Sequence, residues 1–391
     1  MEEIQSGLFY VNAFLLSCLF FWAAESNGFY EKKKNWLCIV FLGLAVLIPC
    51  LIAGLRGIDV GKDTKNYIVI WRMALSAVSP EDIGRNIPVF DGETGLKWLS
   101  FYISRFTNDI YWFFGAYQLL TIAPLVRAVR ILNGRVSLPL AMGTYLFCYF
   151  NSTLNATRQS AAVAFIIVAS VDLFFNPQKQ NWKQVLWGIF EFYVAILLHK
   201  AAFIGILLVV LINYLCKSSF GLITKVIFYV LAGLFAAFHI SIVLWMAQMG
   251  LLNYAFEKYA NIFIFKTKDS NLFVNPFDLY CLVDVFCRLI LFVPPMIYLR
   301  RNKEKVVSFL KTTVIFGFSI FYVVLLMLRT NYGQRISMFL DMFVILLIPM
   351  NISNDSKNTR IALIWASIFV YFVLWIMLMG WSASRIYSID F

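Results

Sequence analysis

The sequence predicts an all-α, polytopic integral membrane protein with about twelve transmembrane helices. Of its 391 residues, 61% are hydrophobic and 14% are charged, whereas soluble domains are about half apolar and about a quarter charged. The apolar residues form blocks of about 13 to 23, and about 20 residues are needed to cross a bilayer as a helix. These blocks show no period-two alternation of the kind that marks a transmembrane β-barrel. A helical bundle in a lipid bilayer follows.

The predicted spans coincide with the apolar blocks. The apolar stretch 184–216 is too long for one ordinary span, and the polar pair His199-Lys200 divides it into two. We place the spans at 7–24, 36–55, 109–126, 138–150, 156–175, 184–198, 201–216, 222–245, 278–299, 306–328, 332–350 and 360–381.

Every second loop of this arrangement is basic, which predicts that those loops are cytoplasmic and that both termini lie outside. We find no linker or internal repeat and treat 1–391 as a single membrane domain. Two long segments, 56–108 and 246–277, then become extracytoplasmic loops. In the first, helical spacing of apolar residues predicts an amphipathic helix at 96–106 and a second at 64–77.

The composition argues against two functional classes. The net charge of +12 is largely explained by basic cytoplasmic loops, so it does not indicate a nucleic-acid partner. The chain has two histidines, His199 and His239, and its seven cysteines are scattered through apolar segments without metal-ligand spacing. We therefore expect neither a metal site nor a cofactor.

Several basic residues depart from the charge rule because they lie at the predicted outer surface. Three of them stand where spans begin at that surface, and a helix N-terminus disfavours a cation by up to about 1 kcal/mol. A bound anion reverses this effect, because helix N–H groups and arginine both bind phosphate. The pattern predicts an anion-binding site at the outer membrane surface. The residues are Arg56, Arg158, His199, Lys200, Arg329 and Arg335, of which Arg158, Lys200 and Arg335 begin spans.

Each residue also has a simpler interpretation when taken alone. Arginines near helix ends can extend toward lipid headgroups, Asp63 and Asn155 can cap helices, and His199 can be a polar hinge residue. Within the spans, Asp284 and Arg288 have the i, i+4 spacing of an ion pair. These interpretations leave the accumulation of cations on one membrane face unexplained.

The same residues lie in motifs that resemble the signatures of the EpsG family of polysaccharide polymerases. The motifs occur in the family order and cover about 56–340. Lys62 departs from the pattern, since a small or polar residue is usual there. The motifs are Leu55-Arg56-Gly57 followed by Val60-Gly61-Lys62-Asp63-Thr64 and Tyr67, then Asn155-x-x-Arg158-Gln159-x-Ala161, then Leu198-His199-Lys200-Ala201-Ala202, and finally Arg335.

The resemblance implies an integral-membrane glycosyltransferase with a GT-C-like architecture, because the family includes Wzy-type O-antigen and exopolysaccharide polymerases of bacteria. Such an enzyme joins undecaprenyl-pyrophosphate-linked oligosaccharide repeats at the outer face of the bacterial cytoplasmic membrane. The implied partners are these lipid-linked oligosaccharides, the lipid bilayer and a chain-length regulator. A cationic anion site beside the membrane fits a lipid pyrophosphate.

The residues at the outer surface have distinct expected roles in this glycosyl transfer. Fixed cations can stabilise a pyrophosphate leaving group without a metal, and a nearby base can accept the proton of the attacking hydroxyl. The sequence does not choose between the two candidate bases. We expect pyrophosphate binding by Arg56, Arg158, Lys200 and Arg335, proton abstraction by Asp63 or His199, catalytic stabilisation by Arg158, and substrate orientation by Tyr67, Asn155, Gln159 and Arg329.

Two other functions remain open at the level of sequence. A flippase for the same lipid-linked oligosaccharide is compatible with twelve spans, although transporters usually place the binding site near the bilayer midplane. A ligase that transfers finished polymer to another acceptor would use similar chemistry at the same membrane face.

Overall fold

The computed structural model describes residues 2–31, 35–61, 63–84, 94–175, 182–217, 279–299, 302–328, 332–351 and 357–378. It also describes Tyr387, Ser388 and single positions between 221 and 231. Several features singled out in the sequence lie outside these residues: Lys62, His239, Arg329, the loop 246–277 and most of the predicted span 222–245.

The first half of the chain forms helices that begin and end close to the predicted limits. The predicted amphipathic helices at 64–77 and 96–106 are both present, as α3 and α4. The helices are α1 Glu2–Ser26, α2 Trp36–Gly54, α3 Thr64–Ser76, α4 Thr94–Ser104, α5 Ile110–Ile131, α6 Leu138–Cys148, α7 Phe150–Asn155 and α8 Thr157–Phe175.

The regular elements that the structure describes in the second half are also helices, which confirms the all-α class for the described part of the chain. The helices are α9 Trp182–Leu198, α10 Ala202–Lys217, α11 Leu279–Tyr298, α12 Lys305–Leu328, α13 Tyr332–Asp341, α14 Val344–Leu347 and α15 Lys357–Leu378.

Among the described residues, four helices are long and apolar enough to cross a membrane, at Gln5–Ser26, Trp36–Gly54, Ile110–Ile131 and Thr157–Phe175. Shorter apolar helices accompany them, for example Ala202–Lys217. These helices support a membrane protein. The count of twelve spans stays a prediction.

Two predicted spans are not continuous helices. The span expected at 138–150 ends at Cys148 and is followed by the short α7, and the span expected at 332–350 is interrupted between α13 and α14. The two breaks contact each other, since the Tyr149 hydroxyl donates a hydrogen bond of 3.2 Å to the backbone carbonyl of Asp341. Interrupted helices persist inside a membrane protein where neighbouring groups satisfy the freed backbone atoms.

Helices that are distant in sequence pack against one another in the bundle. Helix α5 packs against α2 and α8, α8 packs against α9, and α12 packs against α13. Gly54, at the end of α2, permits a close approach to α5, because a Cβ atom there would lie 3.0 Å from the carbonyl oxygen of Tyr111. Small residues allow such close helix contacts in membranes.

Buried ion pairs connect the helices inside the bundle. Arg127 of α5 pairs with Asp172 of α8 and with Glu191 of α9, and both carboxylates are almost fully buried. Charged groups in such surroundings are costly unless they are paired, so these contacts hold the three helices in one arrangement.

A second buried pair joins Arg288 of α11 to Asp341 at the end of α13. The Ser337 hydroxyl, one turn earlier on α13, donates a hydrogen bond of 3.2 Å to the same carboxylate. The sequence suggested Asp284 as a partner of Arg288 from its i, i+4 spacing. The side chain of Asp284 lies outside the described part, so that pairing stays a prediction. The pair with Asp341 joins two helices, and spacing along one helix could not have predicted it.

Candidate anion-binding site

The N-terminal ends of α8 and α13 meet the loop that connects α2 to α3. The side-chain amide of Gln159 in α8 donates a hydrogen bond to the backbone carbonyl of Arg335 in α13. This contact places Arg158 and Arg335 on adjoining first helical turns. The first turn of a helix also presents backbone N–H groups that have no intrahelical acceptor. The cations and N–H groups together favour an anion.

Arg158 is half-buried and lies against Tyr67 of α3. Its Nε atom is 3.4 Å from the Tyr67 hydroxyl, and its guanidinium carbon is 5.7 Å from the centre of the tyrosine ring. Tyr67 is itself buried, and its ring packs edge-on against Phe114. The tyrosine hydroxyl and ring position the guanidinium at the start of α8.

Arg335 is the more exposed of the two arginines. Its Nη2 atom lies 3.9 Å from a carboxylate oxygen of Asp63, with 66% of the Arg335 side chain and 38% of the Asp63 side chain exposed. An exposed pair at this separation contributes less than about 1 kcal/mol. The sequence offered a capping role for Asp63, but its side chain makes no capping hydrogen bond to α3.

The loop between α2 and α3 approaches the end of α7 because it contains Gly61. This residue has a φ of +98°, and a Cβ atom there would lie 2.9 Å from the Thr64 hydroxyl and 3.1 Å from the side-chain oxygen of Asn155. Glycine adopts positive φ without a steric penalty. Gly61 therefore brings Asn155 to the same loop that carries Asp63.

We expect the substitution Gly61→Ala to destabilise this loop by about 1 to 2 kcal/mol, because L-residues at positive φ incur a penalty of that size. The added methyl group would also push the loop away from Asn155. The measurement is thermal unfolding of the purified protein. Gly134→Ala is the matched control, because Gly134 also has a positive φ, of +77°, but a Cβ atom there meets nothing within 4 Å. Equal losses of stability in the two variants would contradict a specific contact between the loop and Asn155.

Arg56 lies deeper than the other cations. Its side chain is covered by protein, its guanidinium carbon is 4.0 Å from the centre of the Phe114 ring, and its Nε and Nη2 atoms have no hydrogen-bond partner among the described residues. Burial lowers the pKa of this guanidinium to about 10, and nearby tyrosines, Tyr67 first among them, oppose the shift. Arg56 stays charged at neutral pH, since a guanidinium is not deprotonated in proteins.

His199 and Lys200 form the turn between α9 and α10, as the sequence predicted. The His199 ring stacks on Phe339 of α13 at a centroid distance of 6.2 Å, which connects the turn to the helix that carries Arg335. Lys200 is exposed. Helix α4 lies against the same turn, because a Cβ atom on Gly95 would be 2.6 Å from the carbonyl oxygen of Leu197.

Sequence reasoning missed two residues that organise this end of the bundle, Gly95 and Phe339. Gly95 stands directly before the predicted helix at 96–106, where a glycine gives no signal of a close approach to α9. Phe339 gives no signal either, because a phenylalanine in an apolar stretch is ordinary core. The position of Arg329 lies outside the described residues.

The described residues contain no group of three or more His, Cys, Asp or Glu side chains that could hold a metal ion. The chemistry available at this end is that of fixed cations beside one carboxylate and one imidazole. Arg158 and Arg335 can bind an anion directly, and Asp63 and His199 can each accept a proton.

Comparison with known proteins gives one informative result. No curated protein and no solved structure matches the chain. The model of the EpsG family matches residues 39–389, which is nearly the whole chain and includes every motif at the site. The chain therefore belongs to the EpsG family, whose members are Wzy-type polymerase-like.

Proposed function

We propose that this protein is a polysaccharide polymerase that joins undecaprenyl-pyrophosphate-linked oligosaccharide repeats at the outer face of the bacterial cytoplasmic membrane. The observation that carries the proposal is the contact of Gln159 with the Arg335 carbonyl, which joins the two helix N-termini that carry Arg158 and Arg335. Membership of the EpsG family supports polymer synthesis as the use of this anion site.

In this mechanism, Arg158 and Arg335 bind the pyrophosphate of the donor, which carries the growing glycan. A hydroxyl of the acceptor repeat attacks the anomeric carbon of the donor and forms the new glycosidic bond. The bond between the anomeric carbon and the pyrophosphate oxygen breaks, and undecaprenyl pyrophosphate leaves with the electron pair. The arginines neutralise the charge that develops on this leaving group.

The proton of the attacking hydroxyl passes to Asp63 or to His199. Asp63 stands beside Arg335 and is 38% exposed, so its carboxylate is within the region where the pyrophosphate binds. His199 reaches this region through its stacking on Phe339 of α13. Geometry is compatible with either base, and both stay candidates.

The remaining residues support substrate binding. Tyr67, Asn155 and Gln159 orient the donor or hold the two arginines. Lys200 is exposed at the α9–α10 turn and adds positive charge, while Arg56 adds charge from its buried position against Phe114. Arg329 is proposed to orient the substrate, on the ground of its position in the sequence. The proposed protein partner is a chain-length regulator.

The direct test uses purified full-length protein in nanodiscs with undecaprenyl-pyrophosphate-linked repeats and EDTA. Products are resolved by gel electrophoresis. A ladder of lengthening glycans is expected, because the fixed cations replace a metal in stabilising the leaving group. Absence of a ladder with a cognate substrate preparation would overturn the proposal. A ladder that requires added divalent metal would overturn its metal-independent form.

A transporter of the same lipid-linked oligosaccharide is the second candidate, and one observation favours it. The buried pair between Arg288 and Asp341 lies at the interruption between α13 and α14. Transporters build their sites from charged groups and broken helices inside the bundle. Translocation of a fluorescent lipid-linked oligosaccharide across proteoliposomes, without chain extension, would favour this candidate over the polymerase.

A further inference from the structure

We propose that Asp63 competes with the substrate pyrophosphate for Arg335, so that donor binding displaces this carboxylate and directs it toward the acceptor hydroxyl. The inference rests on the proposed function and adds an order of events to it. Asp63 stands directly before α3, where an aspartate usually caps the helix. Its side chain makes no such bond, and its carboxylate instead lies 3.9 Å from Arg335 on α13.

The pair has the properties of a replaceable contact. Both side chains are substantially exposed, and the two atoms are at the long limit of an ion pair. Such a pair is weak in water. A pyrophosphate carries several negative charges and can contact a guanidinium through two oxygens, which makes it a stronger ligand than one carboxylate. The contact therefore biases Asp63 toward Arg335 and is weak enough for the substrate to displace it.

The surroundings of Asp63 allow its side chain to move without disturbing the helix. The Thr64 hydroxyl donates a hydrogen bond of 2.6 Å to the carbonyl of Val60, and the Tyr67 amide donates one of 3.2 Å to the carbonyl of Asp63. These bonds hold the backbone on both sides of the carboxylate. Rotation of the Asp63 side chain is then sufficient to exchange one anion for another at Arg335.

The consequence is that donor binding increases the fraction of Asp63 that is available to the acceptor. A carboxylate that lies at Arg335 cannot also contact the acceptor hydroxyl. Once pyrophosphate takes its place, the carboxylate is displaced within the same loop. Donor binding thereby favours activation of the acceptor.

The experiment measures binding of farnesyl pyrophosphate to the full-length protein in nanodiscs by isothermal titration calorimetry. We expect Asp63→Asn to bind the probe about threefold to fivefold more tightly than the natural chain, the factor that loss of a weak exposed ion pair provides. The same variant should extend glycans more slowly, since it binds the donor better but lacks the carboxylate.

The matched control is Asp59→Asn. Asp59 lies on the same loop and pairs with Lys65 at 2.9 Å, with 75% of its side chain exposed, so the substitution removes the same charge without touching Arg335. Its affinity for the probe should not change. In an Arg335→Gln background, Asp63→Asn should no longer improve binding.

The possible outcomes separate this inference from the proposed function. If Asp63→Asn binds the probe no more tightly than the natural chain, while Arg335→Gln weakens binding, the competition is refuted and the pyrophosphate site stands. If Asp59→Asn tightens binding equally, the effect is a general one of loop charge and the competition is again refuted. If the natural chain binds no farnesyl pyrophosphate, the pyrophosphate site and the competition both fall.

Discussion

Replacing Arg158 with alanine is expected to abolish glycan extension, with a fall in rate of at least about 100-fold, the usual result of removing one charge-stabilising donor from an active site. Arg158 stands on the first turn of α8 with its Nε atom 3.4 Å from the Tyr67 hydroxyl. Alanine removes the cation that faces the leaving pyrophosphate but leaves the helix intact. The measurement is the glycan ladder formed by purified protein in nanodiscs.

Two further variants make this result specific. Arg72→Ala removes an exposed arginine from α3, the helix that carries Tyr67, and should leave the ladder unchanged. Arg158→Lys keeps the charge but loses the planar pair of donors, so an intermediate rate is expected. A normal ladder from Arg158→Ala would remove this residue from the mechanism.

The second large effect concerns stability. Replacing Arg288 with methionine takes away the cation that pairs with the buried Asp341 carboxylate. Removing one partner of a buried ion pair costs about 3 to 5 kcal/mol, so we expect a strongly reduced yield and a lower unfolding temperature. Fluorescence-detected size-exclusion chromatography after heating provides the measurement.

A double substitution and a surface substitution serve as controls. Arg288→Met combined with Asp341→Leu removes both charges and should recover much of the lost stability, because apolar replacements of buried pairs are often tolerated. Lys65→Met breaks the exposed pair with Asp59 and should change stability by less than about 1 kcal/mol. Equal stability of Arg288→Met and the natural chain would show that the pair contributes nothing.

The helical elements were predictable because the bilayer imposes a simple requirement on sequence. A helix that crosses lipid needs a continuous apolar block, and α2 and α8 agree with the predicted blocks within a residue or two. The amphipathic pattern of α3 was visible for a similar reason, since one helical face is buried and the other is not. The interruption at Asp341 was not visible, because it depends on Arg288 and Tyr149, which lie on other parts of the chain.

The candidate site was likewise predictable only in part. The sequence alone determined the helical class, the membrane setting and the chemical types at the site, since these depend on composition and on local spacing. Only the tertiary structure decided that Asp63 faces Arg335, that Gln159 bonds to the Arg335 carbonyl and that Arg56 lies buried against Phe114. The physical reason is that these contacts join segments far apart in the chain, so helix packing and not local sequence sets their distances.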